Sequence, residues 1–162
     1  EILRCLVGSE MCIRDREYVL NTLETDILTM VGFIYWGVGN YEKSREIYQF
    51  IEERYQSSRV KPIFHLLDWT LNIGNYARAL EEVKEFEKAI QVCQKAIQQM
   101  LYAGKGVTID YSLMVQACVL EETEKEKCKK YFRQNLDLLK LYKMNVNYKI
   151  MKKYVEDKKI FN

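Results

Sequence analysis

Residues 32–48, Gly-Phe-Ile-Tyr-Trp-Gly-Val-Gly-Asn-Tyr-Glu-Lys-Ser-Arg-Glu-Ile-Tyr, decide the fold. Apolar residues recur at helical spacing on both sides of Gly39-Asn40. Leu20, Leu23, Ile27, Met30, Val31, Ile34 and Tyr35 precede it, and Ile47, Tyr48, Ile51 and Tyr55 follow. Gly39 and Asn40 both tolerate the left-handed conformation that a helix terminus favours, so the stretch reads as two helices joined by a tight turn. Past the turn comes an aromatic residue, Tyr41, then a small one, Ser44, then a bulky one, Tyr48. The same order returns as Phe86, Ala89, Cys93 and Ala96, and more weakly as Lys125, Cys128 and Phe132. Self-similarity of this kind is the mark of stacked helical hairpins.

Working outward, the first helix is expected from about Tyr18 to Val38 and the second from Tyr41 to Gln56, where Gln56-Ser57-Ser58 breaks it. Pro62 fits the first turn of a third helix, where its missing N–H costs nothing. The end of that helix has two registers. Gly74-Asn75-Tyr76 copies the Gly39-Asn40-Tyr41 turn, but a break there leaves one helix from Tyr76 to Ala103, so continuation to about Val83 is the expectation. Ala89, Ile90, Cys93, Ala96, Ile97 and Met100 stripe a fourth helix closed by Gly104-Lys105-Gly106. Further helices are expected over Thr108–Glu122, Glu124–Tyr142 and Val146–Asp157. The fold class is therefore all-α: three hairpins and a C-terminal capping helix, which bury their apolar faces only by stacking into a superhelix with a concave side.

Composition agrees. The 162-residue chain has one proline and seven glycines, little punctuation for strands, and a net charge of +2 that predicts no strong attraction to nucleic acid or membranes. No apolar run approaches the roughly 20 residues of a membrane helix, so a cytoplasmic location is expected.

Residues 1–16, Glu-Ile-Leu-Arg-Cys-Leu-Val-Gly-Ser-Glu-Met-Cys-Ile-Arg-Asp-Arg, stand apart. The apolar run Cys5-Leu6-Val7 is too short for a secretory signal. Leu6–Arg16 instead resembles the in-frame translation of a transposase-type adapter used in sequencing libraries, and Glu1-Ile2-x-x-Cys5 fits the bases flanking its variable index. These residues are read as a non-native leader, leaving 17–162 as an N-terminally truncated repeat domain. Without the leader the cysteines are Cys93, Cys118 and Cys128, with His65 the only histidine, which supports neither a disulfide framework nor a zinc site. Small buried thiols are the expectation.

Gly32 and Tyr35, then Gly39-Asn40-Tyr41, Ser44 and Tyr48 resemble the tetratricopeptide repeat, in which a glycine and a small residue mark the close helix crossing and aromatics fill the space beside it. Lys84 and Thr123 stand where the turn glycine belongs in the second and third copies, and the closing proline is absent. The run Phe86–Ile97 with Leu101–Lys105 and Gln116–Leu120 is similar to the C-terminal sensor region of bacterial transcription regulators with a Cro/C1-type helix-turn-helix head. That resemblance spans about Tyr18–Tyr154. It implies a peptide or protein ligand, a homodimer, and DNA contact only through a head preceding Glu17. The alternative is a general tetratricopeptide interaction scaffold with no DNA link.

No catalytic constellation is legible: no nucleophile elbow, no GxGxxG or GxxxxGK, no HExxH, so neither an enzyme nor a cofactor is expected. Gly104-Lys105-Gly106 reads as a helix-ending loop, His65 as a packed or capping residue, and the run Glu124–Lys130 as a solvated face. Lys152, Lys153, Lys158 and Lys159 are diluted by Glu156 and Asp157. If the first helix of each hairpin lines the groove, the repeat pattern points to Asp26, Thr29, Phe33 and Trp36, then Arg78 and Glu81, then Asp110 and Leu113. Asn72 and Asn75 join them, because an amide pairs with both groups of an extended peptide backbone. The competing reading of Phe33 and Trp36 is packing against helices upstream.

Overall fold

The computed structural model describes residues 20–57, 65–104, 109–121 and 123–161. Every regular element among them is an α-helix: α1 (Thr22–Gly37), α2 (Tyr41–Ser57), α3 (His65–Glu82), α4 (Phe86–Tyr102), α5 (Asp110–Val119), α6 (Lys125–Leu141) and α7 (Asn145–Asp157). The leader, Pro62, Lys105, Gly106 and the side chain of His65 lie outside what is described.

α1 starts at Thr22, later than the pattern suggested, because Asn21 caps it. The Asn21 Oδ1 accepts from the Glu24 N–H at 2.9 Å and the Glu24 carboxylate accepts from the Asn21 N–H at 2.9 Å. Two orphan donors are thereby satisfied reciprocally. α5 is also shorter than the Thr108–Glu122 expected, ending at Val119.

Three of the connections share one geometry. Gly39 (φ 79°), Lys84 (φ 66°) and Lys143 (φ 56°) each take the left-handed conformation one residue past a helix cap. The next residue then donates back across the last turn, Asn40 to the Tyr35 carbonyl, Glu85 to Leu80 and Met144 to Leu139, each at 2.9 Å. The lysines pay a conformational cost that glycine avoids, and the hydrogen bonds to the last helical carbonyls hold them there.

Four residues into the following helices the small positions come into register. Ser44, Ala89 and Cys128 are buried, as are Tyr48, Cys93 and Phe132 one turn later. Gly32 faces the first of these rings so closely that a Cβ on it would lie 2.7 Å from the Tyr48 Cζ. The Gly74-Asn75-Tyr76 stretch is continuous helix, and the break falls at Val83-Lys84-Glu85. Gly74 is needed for packing instead: a Cβ there would sit 2.2 Å from the Tyr111 Cδ1 on α5.

Each helix packs on the next in sequence, and α3 also touches α1 and α5. The first helices α1, α3 and α5 thus lie side by side. Leu28, Ile47, Tyr48, Ile51, Tyr76, Leu80 and Cys93 fill the core from α1 to α4, joined by Val115 and Val119 of α5. A second core of Leu120, Cys128, Phe132, Leu139, Met151 and Val155 secures α7, with Ile160 tucked back by the turn at Lys159. Glu52 of α2 ties three helices, accepting from the Trp69 Nε1 at 2.5 Å and the Lys95 Nζ at 2.9 Å.

Candidate functional site

Because α1, α3 and α5 lie side by side, residues one helical turn apart on each come to a common face. Among the described residues two cavities open on it. The smaller, about 140 Å³, is lined by Phe33 and Trp36 of α1, Tyr48 of α2, Asn75 and Arg78 of α3 and Tyr111 of α5. The larger, about 320 Å³, continues along α3 and α5 to α7, lined by Arg78, Glu81, Lys84, Phe86, Met114, Cys118, Val119, Glu121, Tyr154 and Lys158. Arg78 borders both.

The smaller cavity is an aromatic box in which the two phenol hydroxyls are bonded within the fold, whereas the buried Trp36 Nε1 finds no hydrogen-bond partner among the described residues. Phe33 and Trp36 stack with centroids 6.4 Å apart, and Tyr41 tilts against Trp36 at 6.2 Å. The Arg78 guanidinium stands over the Trp36 ring, 5.2 Å from its centroid. The Tyr111 hydroxyl donates to the Asn75 Oδ1 at 2.9 Å and the Tyr48 hydroxyl to the Thr29 carbonyl at 3.1 Å, with the Asn75 amide alongside it. Burial pushes the ionisation of both phenols up, and the Arg78 charge partly offsets this at Tyr111, so both stay neutral donors.

The larger cavity is more polar. Tyr154 donates to the Glu121 carboxylate at 3.3 Å and approaches the Cys118 thiol at 3.7 Å. Lys158 pairs with Glu121 at 3.4 Å. Desolvation raises the Cys118 thiol, and it raises Cys128 to about 11. These thiols are therefore held protonated rather than primed as nucleophiles. Among the described residues no group of three His, Cys, Asp or Glu side chains converges as metal ligands would, and no helix is long and apolar enough to cross a membrane.

Of the residues named from sequence, the structure brings Phe33, Trp36, Asn75, Arg78 and Glu81 to these cavities. Thr29 and Asn72 are used inside the fold instead. The Thr29 hydroxyl bonds the Asn72 Oδ1 at 2.7 Å, cross-linking α1 to α3, and Asn72 is 3% exposed. Asp26 is exposed on α1 and lines neither cavity. Asp110 begins α5, where its backbone carbonyl accepts from the Asn135 side chain at 2.5 Å and its carboxylate from Asn147 at 3.4 Å. Burial raises its carboxyl above the usual range. Leu113 is buried beside Met100 and Ile109.

On α5 the cavities are lined by Tyr111, Met114, Cys118 and Val119, not by Asp110 and Leu113. The connection after α5 runs from Leu120 to Glu124, longer than Val83–Glu85 after α3, so the third hairpin does not keep the spacing of the first two. Tyr48, Cys118, Tyr154 and Lys158 were also missed. Tyr48 had a signal, its pairing with Gly32, but the others depend on how α7 folds back.

The sequence matches no protein-family model, and no curated protein is significantly similar to it. The fold and groove define an all-helical hairpin domain with a lined face built from its first helices.

Proposed function

We propose that this chain is the ligand-sensing regulatory domain of a bacterial transcription regulator, built as a tetratricopeptide-like superhelix that holds an extended peptide or protein segment in its concave groove. The observation that carries this reading is the convergence of Phe33, Trp36, Asn75, Arg78 and Tyr111, from three successive first helices, on one continuous face. Clefts lined by aromatic residues with a few placed polar groups are where proteins take ligands, and cavities of this size accept side chains along an extended segment. A bound segment spans α1, α3 and α5 at once and so biases their relative tilt, which is how occupancy reaches a DNA-binding head.

Two measurements test the two halves of this proposal. Heptapeptides selected by phage display against the full chain should bind in fluorescence anisotropy, and Trp36→Ala and Asn75→Ala should weaken them at least tenfold. Unchanged affinity in both variants moves the site elsewhere. The coding sequence preceding the Glu17 codon in the source genome should encode a helix-turn-helix with its short turn. Its absence there removes the regulator and leaves the interaction scaffold.

A further inference from the structure

We infer that the groove selects a ligand segment that carries a carboxylate next to an apolar side chain, the carboxylate held by Arg78 and the side chain inserted among Phe33, Trp36 and Tyr111. This rests on the groove being the binding surface and specifies what it reads. Arg78 is the wall shared by the two cavities. Its guanidinium lies over the Trp36 ring, and among the described residues no carboxylate forms an ion pair with it. Arg45 shows the contrast, with Glu42 at 3.0 Å and Glu85 at 3.6 Å. A guanidinium has five N–H donors in its plane, so a ring beneath its face leaves its edges for a planar, two-oxygen acceptor. Trp36 also fixes the side chain before any ligand arrives, which lowers the ordering cost of binding.

The smaller cavity sets the second half of the preference. At about 140 Å³ it is too small for a whole ligand and suits one side chain. Its walls are mostly aromatic rings, and the Tyr48 and Tyr111 hydroxyls are already bonded within the fold, so apolar contact dominates what it offers a side chain, with the Trp36 Nε1–H, unpartnered among the described residues, a donor beside Arg78 for the adjoining carboxylate. Charge favours the same occupant. The larger cavity is lined by three cations, Arg78, Lys84 and Lys158, and two carboxylates, Glu81 and Glu121, of which Glu121 pairs with Lys158. An acidic group is drawn to this face, and a lysine in the same place meets Arg78.

The carboxylate has two sources, a chain terminus or an Asp or Glu side chain, and the test separates them. Positional-scanning pools of N-acetyl hexapeptides are titrated into the full chain, followed by the Trp36 indole and Arg78 Nε–H resonances. The pools have Asp, Asn or Lys at one fixed position beside a fixed Leu, and each is made with a free-acid or an amide terminus. At least one acidic pool, by terminus or by Asp, should bind tenfold more tightly than its neutral counterpart, with the Lys pools weakest. Arg78→Gln should erase that difference while far-ultraviolet circular dichroism stays unchanged. Arg78→Lys, which keeps the charge but not the fork, should fall between. Equal binding of acidic and neutral pools, or a preference that survives Arg78→Gln, overturns the inference and leaves the groove reading standing. Binding by no pool overturns both.

Discussion

Replacing Gly74 with alanine puts a methyl group where the Tyr111 ring already lies, with the new Cβ 2.2 Å from both the Cδ1 and the Cε1. Both are ring atoms of a side chain anchored by its hydroxyl to Asn75 at 2.9 Å, so relief requires moving α5 or swinging the ring away from its partner. Overpacking of this kind costs about 1–3 kcal/mol. Losing the hydrogen bond adds about 1 kcal/mol. Alanine returns about 1 kcal/mol of helix propensity over glycine in a helix interior. The net expectation from these terms is a destabilisation of about 1–3 kcal/mol. Gly37 in α1 supplies the control, since among the described residues no atom lies within 4 Å of a Cβ built there. Gly37→Ala should therefore be neutral or stabilising by up to about 1 kcal/mol. Urea unfolding followed at 222 nm gives both values by linear extrapolation. Adding Tyr111→Leu to Gly74→Ala removes the obstructing ring, so the double variant should lose at least about 1 kcal/mol less than the two single losses combined. Gly74→Ala as stable as the parent, or strict additivity with Tyr111→Leu, would refute the account of α3 against α5.

Three other outcomes follow from the same coordinates. Lys143 holds a left-handed φ of 56° that glycine adopts without strain, so Lys143→Gly should raise the urea midpoint by about 0.5 kcal/mol equivalent. Lys84→Gly should gain less, because it gives up the contact of its ammonium with the Phe86 ring at 5.5 Å. Gln116 is 1% exposed and among the described residues neither of its amide atoms has a hydrogen-bond partner, so Gln116→Met, similar in volume, should stabilise by about 1 kcal/mol and raise the melting temperature by about 2–4 °C. A lowered melting temperature contradicts it. Finally, burial raises the phenols of Tyr48, Tyr76, Tyr111 and Tyr154 above their ordinary range. The unfolded chain releases these protons near pH ~10 while the folded chain keeps them, so stability is full below that value and falls as the pH rises above it. The urea midpoint should drop between pH 9.5 and 11, and a flat profile across that interval argues against buried, neutral phenols.

The helices were legible because their boundaries are written in local chemistry. Gly39-Asn40 ends α1 by backbone freedom alone, and the spacing Ser44–Tyr48 marks the face of α2 that meets α1. The α3 break was recoverable at Lys84 only from the downstream copy at Phe86, since lysine carries no intrinsic preference for the conformation it takes there. Gly74 was ambiguous for the complementary reason. A glycine required by a neighbouring ring and one required by a turn look alike in sequence, and Tyr111, which decides between them, is 37 residues away. The groove was half legible. Trp36 and Arg78 follow from the repeat register and Asn75 from the pairing capacity of its amide, whereas Asn72 and Leu113 share their residue types with ligand contacts and are consumed by packing. Tyr154 and Lys158 reach the face through tertiary contacts of α7, which no local pattern encodes.

The stacked arrangement also governs how the molecule comes apart. Each helix rests mainly on those adjacent in the chain, so most contacts close short loops and cost little chain entropy to form. Such a chain folds quickly and need not wait for distant segments to meet. By the same token, tension applied to the termini is not shared across the body. It is borne by α1 and α7 first, and α3, flanked on both sides by α1 and α5, is the last to yield. Arg78, the residue common to both cavities, sits on that innermost helix, but Phe33 and Trp36 of α1 and Tyr154 of α7 wall the cavities from the periphery, so the face opens as the end helices breathe.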